Sequence, residues 1–222
     1  MMIIKSLKLT FVLGCILGLF GACQTTKLLG SWKKPEAAPK QFNSLGVVVM
    51  TPNMSNRTLL ETSIAGELRS KGIPATATFD IFPLAGKKDI IKELDIDPEE
   101  LKQMVKARVQ RFEFDALLII GVLDVQKESR YNQGQSFSFA FPVYDYTYYG
   151  YYNYAYTTIH YPGYYTTKAT YFVESNLYDV GSENLIWTGQ TKTEDPQSVA
   201  KEAPEFARLI VNEMISKKAL TP

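Results

Sequence analysis

Side chains that commonly perform catalysis are sparse in this chain of 222 residues. His160 is the sole histidine, so a metal site of several histidines, or a relay that needs a second histidine, is excluded. One acidic cluster comprises Asp95, Asp97, Glu99 and Glu100. Helix capping and the helix dipole account for that cluster without acid-base chemistry. We therefore predict no catalytic residue, no metal site and no cofactor.

Two weaker patterns leave room for other chemistry. The loop TPNMSNR stands where an α/β nucleotide-binding protein carries its glycines, and it contains none. Asn56 and Arg57 in that loop are candidates for holding an anion, with a role in loop structure as the favoured alternative. Asp145 with Glu174 is the one carboxylate pair that could serve a hydrolase or transferase acting on cell-wall glycans, which is the alternative function.

The first 23 residues, MMIIKSLKLTFVLGCILGLFGAC, have the features of a bacterial signal peptide. Two lysines precede an apolar run from Leu9 to Phe20, and two small residues precede Cys23. The run is too short to span the bilayer as a mature helix. The LFGAC stretch is similar to a lipobox, which implies removal of residues 1–22 and acylation of Cys23 with lipid such as palmitate. Cleavage without lipidation, an uncleaved membrane anchor and lipidation of Cys15 are the alternatives.

Residues 23–43 are predicted to be the lipidated N-terminus and its tether, because SWKKPEAAPKQFNS is punctuated by lysines and prolines. Gln24 stands where an Asp marks inner-membrane retention in enterobacterial lipoproteins, which implies the outer membrane. The domain is expected to face the periplasm. The mature chain has no cysteine besides Cys23, so disulfides and thiol nucleophiles are excluded. Without Lys5 and Lys8, 22 basic residues stand against 23 acidic ones, so nucleic acid is not an expected partner.

Residues 44–218 are predicted to form one α/β domain. The predicted strands are residues 46–50, 75–79 and 115–125, followed by a hairpin of residues 170–177 and 185–190. Residues 115–125, DALLIIGVLDV, are apolar on both faces, which indicates a central strand covered by helices on both sides. The order predicts a three-layer sandwich with a mixed sheet, made of parallel core strands and a C-terminal antiparallel hairpin.

The helix boundaries have recognisable signals. Thr58 and Glu61 are spaced as a capping box for the first helix, which Gly72 is predicted to end. Asp97 as N-cap predicts the start of a later helix at Pro98. The residues predicted to be buried on that later helix are Leu101, Met104, Val105 and Phe112. Residues 88–94 are a predicted short helix, and residues 198–217 are a predicted final helix that Pro204 either kinks or restarts.

The segments GVVVMTPNMSNRTLLETSIAGELRSKGI, FDALLIIGVLDV and ESNLYDVGSENLIWTGQT have the order β-α-β-α-β, hairpin, helix. In this architecture the chain resembles small envelope lipoproteins. Those proteins are related in fold to the periplasmic domain of the curli secretion channel subunit and to the outer-membrane lipoprotein activators of penicillin-binding proteins. The chain is also similar to large uncharacterised families of bacterial lipoproteins. The resemblance covers roughly residues 44–218 and implies their fold.

A tyrosine-rich insertion at about residues 132–168 departs from an ordinary α/β domain. Its core, residues 144–165, contains 11 of the 14 tyrosines of the chain. Tyrosine buries a large ring while its hydroxyl stays hydrogen-bonded, which suits a recognition surface for proteins or sugar rings. The predicted binding residues are Tyr144, Tyr146, Tyr148, Tyr149, Tyr151, Tyr152, Tyr154, Tyr156, Tyr161, Tyr164 and Tyr165. A hairpin that merely covers the sheet and a disordered aromatic segment are the alternatives.

The sequence thus predicts a non-catalytic, lipid-anchored cell-envelope protein that acts as a binding or assembly module. Its expected partners are the membrane, through Cys23, and an envelope protein or peptidoglycan. A second copy of the chain is a further candidate partner, because sheet edges and aromatic surfaces favour self-association.

Overall fold

The computed structural model describes residues 25–127, 147–150, 169–194, 196 and 198–222. Within these ranges the strands are β1 (Thr26–Lys33), β2 (Leu45–Met50), β3 (Ala75–Ala77), β4 (Ala116–Lys127), β5 (Ala169–Asp179) and β6 (Leu185–Glu194). The helices are α1 (Met54–Ser70), α2 (Lys88–Glu93), α3 (Pro98–Arg111) and α4 (Val199–Ser216). The six strands form one sheet in the order β1-β6-β5-β4-β2-β3.

The sheet is mixed, as predicted. β2 pairs in parallel with β3 and β4, which gives the two crossovers of the N-terminal half. The remaining pairs, β4 with β5, β5 with β6 and β6 with β1, are antiparallel. The predicted C-terminal hairpin is therefore confirmed, and the strand predicted to be central, β4, joins the parallel and antiparallel parts.

Helices cover both faces of the sheet. On one face Val47 and Leu118 pack with α1 and α4. On the other face Val48 and Leu117 pack with α3, because successive side chains of a strand point to opposite sides. The predicted three-layer sandwich is confirmed. The inner strands β2 and β4 are apolar on both faces because each face meets a helix.

The predicted start of α1 is wrong. Asn53 is the N-cap, and its side chain accepts from the backbone N–H of Asn56 at 3.0 Å. Glu61 lies in the second turn and points into the interior, so it forms no capping box with Thr58. The predicted end is confirmed: Gly72 has φ 81°, and the N–H of the following residue donates to the carbonyl of Leu68 at 3.0 Å, as in a Schellman motif.

The capping of α3 is confirmed. The Asp97 side chain accepts from the N–H of Glu100 at 2.8 Å. The residues of α3 that are buried are Leu101, Val105 and Val109. The prediction for Phe112 is wrong, because the helix ends at Arg111 and the Phe112 side chain remains 43% exposed. α4 runs without interruption through Pro204, so the helix does not restart there.

β1 is a strand within the segment predicted to be the tether. It pairs with β6 from Thr26 opposite Thr193 to Lys33 opposite Trp187. Ser31 Oγ also donates to Glu213 Oε1 of α4 at 2.5 Å. Its sequence, TKLLGSWK, lacks a clean alternation of apolar and polar residues, so the local pattern gives no strand signal. The sheet edge and α4 supply the partners that make it a strand.

Candidate functional site

The structure describes Tyr148 and Tyr149 of the eleven tyrosines predicted to bind a partner. Tyr148 is 2% exposed and packs in the apolar cluster between the sheet and α3. Burial, and then the negative charge of Glu183, raises the pKa of Tyr148 to about 12. A buried ring cannot meet a partner on the surface, so Tyr148 acts as structural cover for the sheet.

Tyr149 attaches the same segment to the start of α3. Its hydroxyl donates to the carbonyl of Pro98, and Lys102 Nζ lies 5.3 Å from the centre of its ring. Burial, followed by the charges of Glu99 and Asp97, raises the pKa of Tyr149. Both described tyrosines thus contact the domain itself. The binding prediction therefore depends on the other nine, which lie outside the described residues together with His160 and Asp145.

A buried polar cluster lies on the α3 side of the sheet. Glu174 on β5 is fully buried, and its carboxylate accepts from Gln190 Nε2 and from Asn176 Nδ2, each at 3.1 Å. Gln190 stands directly opposite Glu174 on β6, while Gly121 stands opposite it on β4. The side-chain amides of Asn176 and Gln190 thus each donate one hydrogen bond to the carboxylate. We call Glu174, Asn176 and Gln190 the carboxylate–amide cluster.

In the sequence, Glu174 is a candidate only as half of the carboxylate pair with Asp145. Its burial makes it unsuited to acid-base catalysis on a bulky glycan, since such a group must reach the scissile bond. The signal that could have revealed the cluster is the spacing of Glu174 and Asn176, which puts two polar residues on one face of an interior strand. Asparagine and glutamate on a buried face require hydrogen-bond partners, and β6 supplies one in Gln190.

Arg57 has the favoured structural role, and the alternative of an anion site is wrong. The guanidinium is fully buried and donates to Glu61 Oε1 at 2.8 Å, to the carbonyl of Phe82 at 2.7 Å and to that of Thr78 at 3.1 Å. Glu61 also accepts from the N–H of Val49 at 2.9 Å and of Thr78 at 2.7 Å. Because Glu61 neutralises the guanidinium and the two carbonyl groups accept its other hydrogen bonds, Arg57 is not available to bind an anion.

The buried ion pair ties α1 to the ends of the parallel strands. Desolvation raises the pKa of Glu61, and the charge of Arg57 and the hydrogen bonds from Val49, Arg57 and Thr78 oppose that rise. Thr78 Oγ1 adds a bond to the carbonyl of Val47 at 2.7 Å. The arrangement positions the loop after β3 and has a structural role.

The first described residues are fixed to the domain. The N–H of Glu194 donates to the carbonyl of Thr25 at 3.0 Å, and Thr25 Oγ1 donates to the carboxylate of Glu202 on α4. Thr26 Oγ1 and Thr193 Oγ1 lie 2.9 Å apart. Cys23, the predicted lipidation site, lies outside the described residues and is two residues from this attachment.

Other site types have little support in the part of the chain that the structure describes. It contains no group of three or more His, Cys, Asp or Glu side chains that could hold a metal ion. None of its helices is long and apolar enough to cross a membrane. A shallow depression of about 10 Å³ lies between Phe82 and α3 and is lined mostly by apolar side chains. That volume is below the range usual for small-molecule sites.

No protein-family model and no curated protein matches the chain. A PelC dodecamer from Paraburkholderia phytofirmans is similar, with 11% identity over 84% of this chain and 95% of that chain and a TM-score of 0.42. Lipoprotein GNA1162 from Neisseria meningitidis has 17% identity over 78% of this chain and 98% of that chain, with a TM-score of 0.37. A PDZ domain protein from Parabacteroides distasonis has 13% identity over 89% of this chain and 37% of that chain, with a TM-score of 0.36. Similarities this low carry no argument about function, so the resemblance to envelope lipoproteins stays a prediction.

Proposed function

We propose that the chain is a non-catalytic, lipid-anchored protein of the bacterial envelope, and that its tyrosine-rich insertion binds an envelope protein or peptidoglycan. The signal-like N-terminus with Cys23 supports the anchor. The concentration of 11 tyrosines in residues 144–165 supports the recognition surface and carries the proposal. Gln24 after the cysteine supports attachment to the outer membrane, and we propose that the domain faces the periplasm.

Contacts in the described part of the insertion support this proposal. Tyr148 is held in the core, and Tyr149 is held by Pro98 and Lys102. Both roots of the insertion are paired strand residues, since Lys127 stands opposite Ala169. A segment fixed at its roots and at its middle loses less conformational entropy on binding than a free chain of the same length. We therefore assign recognition to the nine tyrosines other than Tyr148 and Tyr149.

The test is a pull-down from detergent-solubilised envelope with the full lipidated chain. In the test variant the nine tyrosines are replaced by serine, while Tyr148 and Tyr149 are kept so that the domain stays covered. We expect wild type to retain a partner that the test variant loses. Binding to sedimented peptidoglycan, measured in parallel, distinguishes a glycan from a protein partner.

Tyr149→Phe is the matched control, because it removes the hydroxyl bond to Pro98 but leaves the nine tyrosines unchanged. It should retain the partner. Equal recovery of every partner by wild type and by the nine-serine variant, with both proteins folded by circular dichroism, would remove the recognition role.

A further inference from the structure

The link between the proposed lipid anchor and the sheet is short. Thr25 is already bound by Glu194 and Glu202, and β1 begins at Thr26. Only Gln24 lies between Cys23 and Thr25, and the two residue steps span at most about 7 Å of extended chain. A lipid on Cys23 therefore holds the start of β1 within the headgroup region of the bilayer, whose polar layer is of similar depth.

We propose that the end of the sheet where β1 begins rests on the lipid surface, so that the domain stands on the membrane and does not hang from a free tether. This inference depends on the lipidation of Cys23 in the proposed function. It adds an orientation, because only one end of the sheet can approach the bilayer when β1 is attached to β6 and α4 along its length.

The strand registers identify what else lies at that end. Thr26 stands opposite Thr193, Thr193 opposite Tyr171, and Tyr171 opposite Val125. These four positions cross β1, β6, β5 and β4 at one level of the sheet. Three strand spacings amount to about 14 Å. The last residue of β4 and the first of β5, where the chain enters and leaves the tyrosine-rich insertion, are thus close to the anchor.

The middle of the insertion is attached at the opposite end. Thr147 forms a β-bridge with Asn184 in the turn between β5 and β6. β6 extends from Leu185 near that turn to Glu194 near the anchor, a rise of about 30 Å. The roots of the insertion therefore lie at the membrane end, and residues 147–150 lie about one domain height away from it.

The charges of the described side chains at the anchored end are compatible with an anionic lipid surface. Lys27 stands directly opposite Lys192, and a cross-strand pair of like charges is unfavourable in isolation. Glu194 is paired with Lys192 and lies near Lys27, so it offsets part of that repulsion. The carboxylate of Glu202, which accepts from Thr25, brings these four side chains to no net charge, so they do not strongly attract or repel the lipid phosphates.

Site-specific quenching measures the orientation. The lipidated mature chain has no free cysteine, so a single introduced cysteine takes one fluorophore. Lys201→Cys places it on the exposed first turn of α4 near the anchor, and Ser182→Cys places it in the exposed turn between β5 and β6. In vesicles of phosphatidylethanolamine and phosphatidylglycerol that contain spin-labelled lipid, we expect quenching to be at least about twofold stronger at residue 201, because the two sites differ by about 30 Å in height.

A Gly/Ser insertion of about 12 residues between Gln24 and Thr25 is the second variant, since a flexible linker of this length frees the domain from the surface. It should reduce quenching at residue 201 towards the value at residue 182. Equal quenching at the two sites in the acylated protein, or a difference that the linker leaves unchanged, overturns the orientation alone. A mass spectrum showing no acyl chain on Cys23 overturns both this inference and the proposed anchor.

Discussion

The two halves of the sheet bury polar groups in different ways. In the parallel half, formed by β3, β2 and the start of β4, the main buried charges are the Arg57–Glu61 pair, and β2 is entirely buried. The antiparallel half, formed by β5, β6 and β1, contains many uncharged polar side chains in its interior. Its buried polar residues are Thr26, Glu174, Ser175, Asn176, Thr188, Gln190, Thr191 and Thr193.

The difference concerns how completely these groups are paired. The Arg57–Glu61 pair makes hydrogen bonds to four backbone groups besides its own ion pair. In the antiparallel half, Ser175 Oγ and Thr188 Oγ1 are buried without a hydrogen-bond partner among the described residues. Unpaired buried groups reduce stability. The half that holds the proposed anchor and the roots of the insertion is thus the less completely satisfied one.

Arg57→Met should have the largest effect and would test the parallel half. Methionine fills much of the same space but leaves the Glu61 carboxylate buried beside two carbonyl groups that have lost their donor. We expect a loss of about 3 to 5 kcal/mol in the free energy of unfolding, measured by urea denaturation.

Arg69→Met is the matched control for this change. Arg69 is on the same helix and donates to the carbonyl of Ala75 at 2.7 Å, but it is exposed and has no buried carboxylate to neutralise. Its loss should be about 1 kcal/mol. Similar losses in the two variants would show that the buried charge pair is not what distinguishes the parallel half.

The parallel half could be predicted well from the sequence because local patterns specify it. Runs such as GVVVM, the Asp97 cap and Gly72 act within a few residues of where they occur. The α1 start was predicted wrongly because Glu61, at capping-box spacing from Thr58, pairs instead with Arg57 in the interior. The spacing of residues along a helix does not indicate whether the Glu61 carboxylate caps the helix with Thr58 or pairs with Arg57.

The antiparallel half was predicted less completely because its edge depends on distant partners. β1 becomes a strand through β6 and α4, which lie more than 150 positions later in the chain. The same holds for the carboxylate–amide cluster, since Gln190 meets Glu174 only in the folded sheet. Of the predicted binding tyrosines, Tyr148 shows that composition alone does not separate a ring that covers the core from one that meets a partner.

Glu174→Gln would test the antiparallel half and should have an intermediate effect. Glutamine keeps the shape of the glutamate side chain, but its NH2 group replaces one of the two accepting oxygens. That NH2 group then faces the NH2 group of Asn176 or Gln190, so one hydrogen bond is lost. We expect the free energy of unfolding to fall by about 1 to 2 kcal/mol. Glu194→Gln, at the exposed end of β6, is the control and should change the unfolding curve much less than Glu174→Gln, because it weakens only an exposed ion pair with Lys192. A loss as large as that of Arg57→Met would mean that both halves depend on a buried charge to the same degree.

Replacement of Asp179, at the end of β5, should have the smallest effect on stability. Its effect can be followed through the pH dependence of the free energy of unfolding. Burial raises the pKa of Asp179, but hydrogen bonds from Lys40 and Ser182 outweigh burial and lower the pKa below its usual 3.8. In the folded protein Asp179 therefore binds its proton at lower pH than in the unfolded chain, so its stabilising contribution is present above about pH 3.8 and is lost as the pH falls through the folded value.

Because Lys40 is half exposed, solvent screening limits this contribution to at most about 1 kcal/mol. The stability difference between wild type and Asp179→Asn, measured by urea denaturation from pH 6 to 3, should shrink at the acidic end, and added salt should shrink it at pH 6. A difference that stays constant across this range would show that the hydrogen bonds to Ser182 act without a contribution from the carboxylate charge.

Glu61, whose pKa burial raises, titrates in the opposite sense: its ionisation destabilises the folded chain as the pH rises above the pKa of Glu61 in the unfolded chain. Opposite slopes for Asp179→Asn and Glu61→Gln relative to wild type would therefore separate the exposed ion pair of the antiparallel half from the buried ion pair of the parallel half.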